Sequence, residues 1–306
     1  MSTTAKLRLH KTSDADDQTL RGQRHDSLTQ AALRAFLRHR TGMAGLILIL
    51  VMLTLALAAP ALAPHDPLIM QTADRFSPPS AAHPMGADEF GRDIFSRLLY
   101  GGRVAFGVGG ISVALALVVG VAVGAVAGFV QGWFDAVSGR ILDALLAFPA
   151  ILLAIVILAV LGPGVFNAVL AVAIVNIPVF ARLARANVLA EKHKDYVLAA
   201  RAVGAPGSRV LFLTILPNSL ATIIVQVTVS FAGAVLLESS LSFLGLGVPL
   251  PDPSWGSMLS IGRNYMSQAP WYSIAPGLAI MALVLGVYLL GDGLRDVLDP
   301  RRQKSI

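Results

Sequence analysis

The sequence predicts an all-α integral membrane protein with six transmembrane helices and both termini in the cytoplasm. Of its 306 residues, 55% are hydrophobic and only 14% are charged, and the mean hydropathy of +0.70 is far above that of soluble globular proteins. Six apolar stretches are long enough to cross a ~30 Å hydrocarbon core as helices that rise ~1.5 Å per residue. The stretches and the charges between them therefore indicate a multi-pass protein.

The predicted spans are separated by polar or proline-rich segments. They cover approximately residues 44–62, 104–130, 141–161, 165–181, 220–241 and 273–290. In the second span, Gly120, Gly124 and Gly128 recur at four-residue intervals, which would let another helix pack at short range. Pro149 predicts a kink in the third span. Residues 131–140 are expected to be a short cytoplasmic link, and residues 162–164 a tight external turn.

The distribution of lysine and arginine predicts the orientation of these spans. With both termini inside, the cytoplasmic segments carry 19 Lys and Arg and the external segments carry five. Leaving out the five tail residues that lie far from the first span, the ratio is still 14 to five. Because basic residues accumulate in cytoplasmic loops, this arrangement is the favoured one.

The chain before the second span contains three segments outside the first span, and they differ in composition. Residues 1–30 are polar with mixed charge, so we expect a disordered cytoplasmic tail. Residues 31–40 place Leu33, Phe36 and Leu37 on one helical face among arginines, which predicts an amphipathic helix on the inner membrane surface. Residues 64–103 contain five prolines and are predicted to be an external loop. Residues 31–103 thus comprise this helix, the first span and the loop.

The composition excludes several chemistries. The chain has no cysteine, so disulfides, thiol catalysis and cysteine metal sites are ruled out. It contains no G-x-x-x-x-G-K-[ST], H-E-x-x-H or G-x-S-x-G motif, so we expect no catalytic residues, no ATPase site of its own and no cofactor. The net charge of +6 comes from segments that flank the membrane and not from one basic face, which argues against nucleic-acid binding.

The external loop contains a dense polar patch. His83, Asp88, Glu89 and Asp93 are candidate metal ligands, but one histidine with scattered carboxylates lacks specific ligand spacing, so no metal is predicted. Asp88 is instead expected to cap a helix along the outer membrane surface. The apolar face of that helix would be Phe90, Ile94, Phe95, Leu98 and Leu99, with Arg92, Asp93 and Arg97 facing water or lipid headgroups.

Residues 182–218 form the longest polar interruption in the second half of the chain. They carry six Lys or Arg against two acids and should be cytoplasmic. Asp195 is predicted to cap a short helix over 196–203, Gly204 to break it, and the helical pattern to resume at 210–216 before Pro217 starts the next span. The segment is either a docking surface or a basic loop that only sets orientation.

One acid, Glu238, falls inside the fifth predicted span. Ionisable groups within the membrane are costly and are often functional. Three interpretations stay open: the carboxylate lines a pathway, it contacts a partner subunit, or it reaches the outer interface by snorkelling.

Several motifs resemble a known family. Leu198-Ala199-Ala200-x-x-x-Gly204, followed by Ile215-Leu216-Pro217, resembles the EAA loop of bacterial binding-protein-dependent ABC importer permeases. Leu198 replaces the acid of that motif, so its ion-pairing role is not transferred. The stretch HPMGADEFGRDIFSRLLYG at 83–101, the segment 239–256 and the terminal GDGLRDVLDPRR at 291–302 are similar to C-type permeases of dipeptide, oligopeptide and nickel importers.

The resemblance implies a type I ABC importer permease fold in the bacterial inner membrane, with residues 104–306 as the permease core. It implies a second, B-type permease, two cytoplasmic ATP-binding subunits, an extracytoplasmic solute-binding protein and surrounding lipid as partners. Coupling to the ATPase is expected from Asp195, Tyr196, Ala199, Ala200, Gly204 and Pro217, within the loop 182–218. The cargo would be di- or oligopeptides or similar small solutes.

The main alternative function is an ion-coupled secondary carrier or a channel, and a non-transporting membrane scaffold is a third. An ion-coupled carrier usually needs ionisable groups near the middle of the membrane. The predicted spans contain few such groups, and none of the six histidines falls inside them. This scarcity favours transport driven by a partner.

Overall fold

The structure, a computed structural model, describes residues 34–298. Over this range the chain is almost entirely helical and forms no β-strand, with one isolated bridge between Ala87 and Asp93. The main helices are α1 (Arg40–Leu57), α2 (Ile94–Val130), α3 (Gly132–Leu146), α4 (Ala150–Leu161), α5 (Val165–Glu191), α6 (Asp195–Ala202), α7 (Leu220–Phe243), α8 (Trp255–Gly262) and α9 (Trp271–Leu298). The tail predicted at 1–30 lies outside the described residues, as does the end of the chain from 299.

Five helices in the described range, α1, α2, α5, α7 and α9, are long and apolar enough to cross a membrane. The pair α3 and α4 supplies a sixth crossing if it is counted as one broken span. The all-α fold class is therefore confirmed, and each predicted span has a helical counterpart. The orientation of the termini stays a prediction.

The kink predicted at Pro149 is a full break. Helices α3 and α4 meet at 94°, and Pro149 stands in extended geometry immediately before α4. Proline cannot donate an N–H to the preceding turn, and it disfavours helical geometry in the residue before it. Most of the link expected at 131–140 is helical, because it forms the first part of α3 and only Gln131 separates α3 from α2. Its cytoplasmic position stays a prediction.

The surface helix and the second span, predicted as separate elements, form the single helix α2 of 37 residues. Its N-cap is Asp93, whose carboxylate accepts a hydrogen bond from the Ser96 N–H at 2.7 Å, so the cap predicted at Asp88 is wrong. The helix passes Trp255 closely at Gly101, where an added Cβ would come within 2.7 Å of the indole.

The predicted glycine stripe is confirmed as the contact between α2 and α5. A Cβ added at Gly124 would lie 2.0 Å from the Ala181 carbonyl oxygen, and one added at Gly120 would lie 2.7 Å from that of Ile177. At Gly128 the nearest atom would be the Arg185 carbonyl oxygen at 2.9 Å. The two backbones therefore approach each other more closely than any larger side chain allows.

The apolar core lies on both sides of α7. One cluster joins Ala234 and Leu241 of α7 to α2, α4 and α5, including Phe180. A second cluster joins Ala232 and Val235 of α7 to α2, α8 and α9. Helix α7 thus packs against other helices on two sides. On the second side, α1 contacts α9 at Gly45, where an added Cβ would lie 2.5 Å from the Gly286 carbonyl oxygen.

The part of the predicted amphipathic helix that the structure describes is helical at 34–38. Phe36 is buried and Leu37 is exposed. His39 interrupts the helix and caps α1, since its Nδ1 accepts a hydrogen bond from the Gly42 N–H at 3.1 Å. Its Nε2 lies 3.3 Å from an Asp296 oxygen in α9, so the entry to α1 is attached to the last helix.

Gly124→Ala should destabilise the protein, because the carbonyl oxygen of Ala181 cannot move away without separating α2 from α5. We expect a loss of about 1–3 kcal/mol in the free energy of unfolding, as for other overpacked interiors. The measurement is SDS-induced unfolding in mixed micelles. Gly110→Ala in the same helix is the control: its new Cβ would meet no atom within 4 Å, so stability should change by less than about 0.5 kcal/mol. Equal effects of the two substitutions would contradict this account of the seam.

Candidate functional site

The loop between α5 and α7 is folded into a short helix, α6, that runs from Asp195 to Ala202. Lys194, in extended geometry, occupies the N-cap position, so the cap predicted at Asp195 is wrong. Asp195 instead lies in the first turn of the helix and is exposed. Its negative charge still stabilises the helix there, because the N-terminal end of the helix dipole is positive.

One face of α6 is anchored to the rest of the protein. Val197 is fully buried in a cluster with Ala125 of α2 and Val188 of α5. The same cluster includes residues of the turn that follows, namely Val210, Leu211 and Ile215, and Ala200 packs against its edge. The buried side chain of Val197 therefore joins α6 to the ends of α2 and α5.

The opposite face of α6, which we term the α6 outer face, comprises Tyr196, Leu198, Ala199, Ala202 and Val203. All five are exposed; Leu198 is 48% and Val203 is 85% accessible. The face is apolar and its alanines are small, so the backbone of another protein can approach it closely. Of the sequence-predicted coupling residues, Tyr196 and Ala199 lie on this face, whereas Ala200 faces the anchoring cluster.

Tyr196 is held in place by the end of α5. Its hydroxyl donates a hydrogen bond to Oε2 of Glu191, and Oε1 of the same carboxylate accepts from Lys194 Nζ at 2.6 Å. Burial, together with the hydrogen bond to Glu191, raises the pKa of Tyr196 to about 12. The phenol is therefore neutral at physiological pH and acts as a donor.

Gly204 ends α6 with a left-handed turn, at φ +83°. The Gly204 N–H donates to the Arg201 carbonyl at 2.9 Å, and the Ala205 N–H donates to the Ala200 carbonyl at 3.1 Å, which together form a Schellman motif. Glycine is favoured here because side chains strain a positive φ. A Cβ added at Gly204 would meet no atom within 4 Å, so this position is open to a partner.

The chain returns to α7 through a tightly wound segment. Residues Val210–Ile215 form a π-helix, and Pro217 lies in the exposed turn Leu216–Asn218 that follows it. The predicted resumption of helical structure is thus confirmed, but α7 begins only at Leu220. Because proline has no N–H to donate, Pro217 interrupts regular α-helical pairing at this point.

The basic residues near the loop make specific ion pairs with α3. Arg185 donates from Nε and Nη2 to the Asp135 carboxylate, at 2.5 and 2.7 Å. Arg182 Nη2 lies 2.6 Å from Asp143 Oδ1. Pairs as exposed as these contribute only about 0–1 kcal/mol each. They link α3 to α5. This contact is separate from any effect of the arginines on membrane topology.

Glu238 is buried and forms hydrogen bonds within its own helix. It is 1% exposed and accepts hydrogen bonds from Ser242 Oγ at 2.7 Å and from Ser239 Oγ at 3.3 Å. The snorkelling interpretation is therefore wrong, because the carboxylate does not extend to a surface. Two serine hydroxyls satisfy it locally, as a buried acceptor requires. A role in the pathway or at a subunit contact stays a prediction.

A mainly apolar groove that the sequence did not reveal opens between the first turns of α7 and the end of α9. Its volume is ≈ 440 Å³, and its polar lining comes from Thr222, Gln226 and Arg295. Arg295 is far from the other two in sequence, so only the packing of α9 against α7 brings them together. The groove is close to the loop that contains α6, because Thr222 accepts a hydrogen bond from Asn187 of α5 at 2.7 Å.

The charged patch on the predicted external side is buried. The expectation that Arg92, Asp93 and Arg97 face water or lipid headgroups is therefore wrong. Arg97 is 0% exposed and donates to the Pro67 carbonyl at 2.9 Å. Asp88 accepts from Arg92 Nε at 2.7 Å and lies 3.6 Å from Arg97 Nε. These charges leave water because each carboxylate faces a guanidinium, so charge-assisted hydrogen bonds offset the desolvation. The patch ties the loop that precedes α2 to the start of that helix.

The four candidate metal ligands are divided by the fold. Asp88 and Glu89 pair with Arg92, whereas His83 and Asp93 are joined by His65, which the sequence analysis did not consider. One ligand atom from each of His65, His83 and Asp93 lies within 4.8 Å of the others. The sequence offered one indication of this cluster: His65 and His83 lie in the same proline-rich loop.

Comparison with known proteins identifies the family. Residues 120–304 match the model for the binding-protein-dependent transport system inner membrane component. The chain belongs to this family. Residues 27–79 also match the N-terminal transmembrane domain of oligopeptide transport permease C. The resemblance to binding-protein-dependent importer permeases is therefore confirmed.

Curated relatives agree with this assignment. The chain is 45% identical to the dipeptide transport system permease DppC of Alkalihalophilus pseudofirmus over 88% of this chain and 89% of the relative. It is 43% identical to the di/tripeptide permease DppC of Pseudomonas aeruginosa, over 89% and 92%. It is 44% identical to the glutathione permease GsiD of Pectobacterium atrosepticum, over 88% and 89%.

The protein is thus an inner-membrane permease subunit of an ATP-driven importer, and it works within a complex that has other components. The ion-coupled carrier and the non-transporting scaffold are set aside by this family membership. The α6 outer face is exposed, and Val197 on the other side of the same helix packs against α2 and α5.

Val197→Ala should destabilise the isolated permease because it removes two buried methyl groups from the cluster beneath α6. We expect a loss of about 1–3 kcal/mol in the free energy of unfolding. Leu198→Ala, one residue further on the exposed face, should change it by less than about 0.5 kcal/mol. SDS-induced unfolding of both variants measures the difference. If Leu198→Ala were the more damaging, the assignment of buried and exposed faces would be incorrect.

Proposed function

We propose that this chain is the C-type permease half of an importer for short peptides and that the α6 outer face docks onto an ATP-binding subunit. Residues 104–306 would then be the permease core, and residues 182–218 its coupling loop. The observation that carries the proposal is the contrast across α6. Leu198 and Val203 are exposed on a helix whose other face, through Val197, is fixed to two membrane helices.

The geometry supports a mechanical link between nucleotide hydrolysis and transport. A force applied to α6 reaches α5 through Val188 and α2 through Ala125. Helices α2 and α5 are in backbone contact at Gly124, so they would move together. The π-helical turn and Pro217 lead to α7, which would follow as a second lever. Closure of the ATPase pair would thereby switch access to the pathway by rigid-body movement.

The proposed partners are those that the family resemblance implies. The sequence of this chain contains no phosphate-binding loop, so ATP would be hydrolysed by two cytoplasmic ATP-binding subunits. A second, B-type permease would complete the pathway, and an extracytoplasmic solute-binding protein would deliver the cargo. Glu238 and the groove at Gln226 are the positions in this half that we would test first as pathway residues.

Short peptides are the cargo class that the relatives favour. Relatives that are 43–45% identical are named for dipeptides, di- and tripeptides and glutathione, and glutathione is itself a tripeptide. A small peptide is therefore the common chemistry. Choice among peptides would be made mainly by the solute-binding protein, so the pathway itself needs to accept only a short backbone with varied side chains.

Gly204→Asp should preserve membrane insertion but abolish coupling. A carboxylate buried in the docked interface without a partner is costly, so we expect at least a roughly tenfold loss of peptide uptake and of substrate-stimulated ATPase activity, equivalent to about 1.4 kcal/mol. The complex reconstituted in liposomes with labelled dipeptide measures both. Gly245→Asp is the matched control, because Gly245 has a similar φ of +79° and equally open space but lies on the predicted external side. Wild-type uptake and ATPase stimulation in Gly204→Asp would reject α6 as the coupling helix.

The partners should co-purify with the tagged chain from mild detergent. We expect mass spectrometry to find a second permease and a nucleotide-hydrolysing pair, and we expect the pair to be lost, but the second permease retained, in Gly204→Asp. This difference follows because α6 would contact only the ATP-binding subunit. Recovery of the chain alone, with an ion-driven flux in liposomes, would contradict the proposed assembly.

A further inference from the structure

We propose that His65, His83 and Asp93 form a zinc site that fastens the predicted external loop to the start of α2. The three residues come from separate segments: His65 follows α1, His83 lies in the middle of the loop, and Asp93 caps α2. Imidazole and carboxylate are ordinary zinc ligands, and three protein ligands with one further position are typical of non-cysteine zinc sites.

The distances suit a single ion. His83 Nδ1 and Asp93 Oδ1 are 3.1 Å apart. In a tetrahedral zinc site with bonds of ~2.0–2.1 Å, neighbouring ligand atoms are ~3.3 Å apart, so this pair already has the spacing of two ligands. The His65 ligand atom lies within 4.8 Å of both, and a side-chain movement of about 1.5 Å would complete the set. A cavity of ≈ 60 Å³ borders all three residues, which leaves room for the ion and a water molecule.

The outer contacts orient the ligands. Asp74 Oδ2 lies 3.5 Å from His83 Nε2, so a proton on Nε2 would face this carboxylate and leave the Nδ1 lone pair for a metal. Ser96 donates both its N–H and its hydroxyl to Asp93 Oδ2, each at 2.7 Å, which leaves Oδ1 as the ligand atom. Carboxylate–histidine–zinc arrangements of this kind fix the ring and increase its basicity.

His65 has no other role that its contacts explain. Its Nδ1 is buried and has no hydrogen-bond partner among residues 34–298, although a buried polar atom normally has one. Its ring stacks on that of His83, with centroids 4.9 Å apart. The stacking brings the two imidazoles side by side, next to the Asp93 carboxylate.

The site would hold the external loop at its most constrained point. The Gln71 N–H donates to the Phe90 carbonyl at 3.1 Å, and Gly91 lies so close to Gln71 that no side chain fits between them. The His65 N–H donates to Ser96 Oγ at 3.3 Å. Zinc would join these three segments without adding covalent links, in a chain that has no cysteine for a disulfide.

The test uses the full-length chain, purified without a polyhistidine tag and incubated with zinc chloride. Elemental analysis after gel filtration should find about one zinc ion per chain. His65→Ala should weaken zinc binding about 100-fold or more, and Asp74→Asn by about 10–100-fold, as for other outer-shell contacts. His193→Ala is the control, because His193 is an exposed histidine outside the cluster, and it should bind zinc like the wild type.

Thermal unfolding separates zinc binding from a purely structural role. Because the His65 ring makes no hydrogen bond in the described structure, His65→Ala without zinc should unfold near the wild-type temperature. Added zinc should raise the unfolding temperature of the wild type and of His193→Ala, but not that of His65→Ala. Absence of retained zinc in the wild type would overturn the proposal and leave His83 as a charged bridge between Asp74 and Asp93. Equal zinc binding by His65→Ala would overturn it as well.

Discussion

Backbone contact between α2 and α5 is the constraint on which the rest of this permease depends. Inside a bilayer, apolar side chains gain little by leaving lipid, so helices associate through close packing and hydrogen bonds. At Gly124 the two backbones are so near that an added Cβ would lie 2.0 Å from a carbonyl oxygen. This seam brings Ala125 and Val188 together at one end, and these residues form the base on which Val197 holds α6.

The opposite end of α2 is fixed by polar chemistry. Asp88, Arg92 and Arg97 are buried together, and this is tolerable only because each charge meets an opposite charge or a carbonyl group. The helix is therefore held at its N-terminus by charge-assisted hydrogen bonds and along its length by glycine contacts. Such a helix suits rigid-body movement, because unwinding its N-terminal end would separate buried charges from their partners.

Local patterns in the sequence predicted much of the fold and part of the site. The spans, the stripe at Gly120 and Gly124, the break at Pro149 and the turn at Gly204 each depend on a property of nearby residues. The prediction failed where distant groups changed the local balance. The sequence predicted Asp88 as a helix cap, but its carboxylate pairs with Arg92 and Arg97. The N-cap of α2 is Asp93 instead.

Hydrophobicity, charge distribution and turn residues thus determined by themselves that this is a multi-pass α-helical protein with a short helix beside Gly204, because these features act over a few residues. The tertiary structure alone decided which face of α6 is exposed, that Glu238 is buried, and that His65 meets His83 and Asp93. Those outcomes depend on how helices far apart in sequence pack together. Burial and pairing are properties of that packing, and no local pattern encodes them.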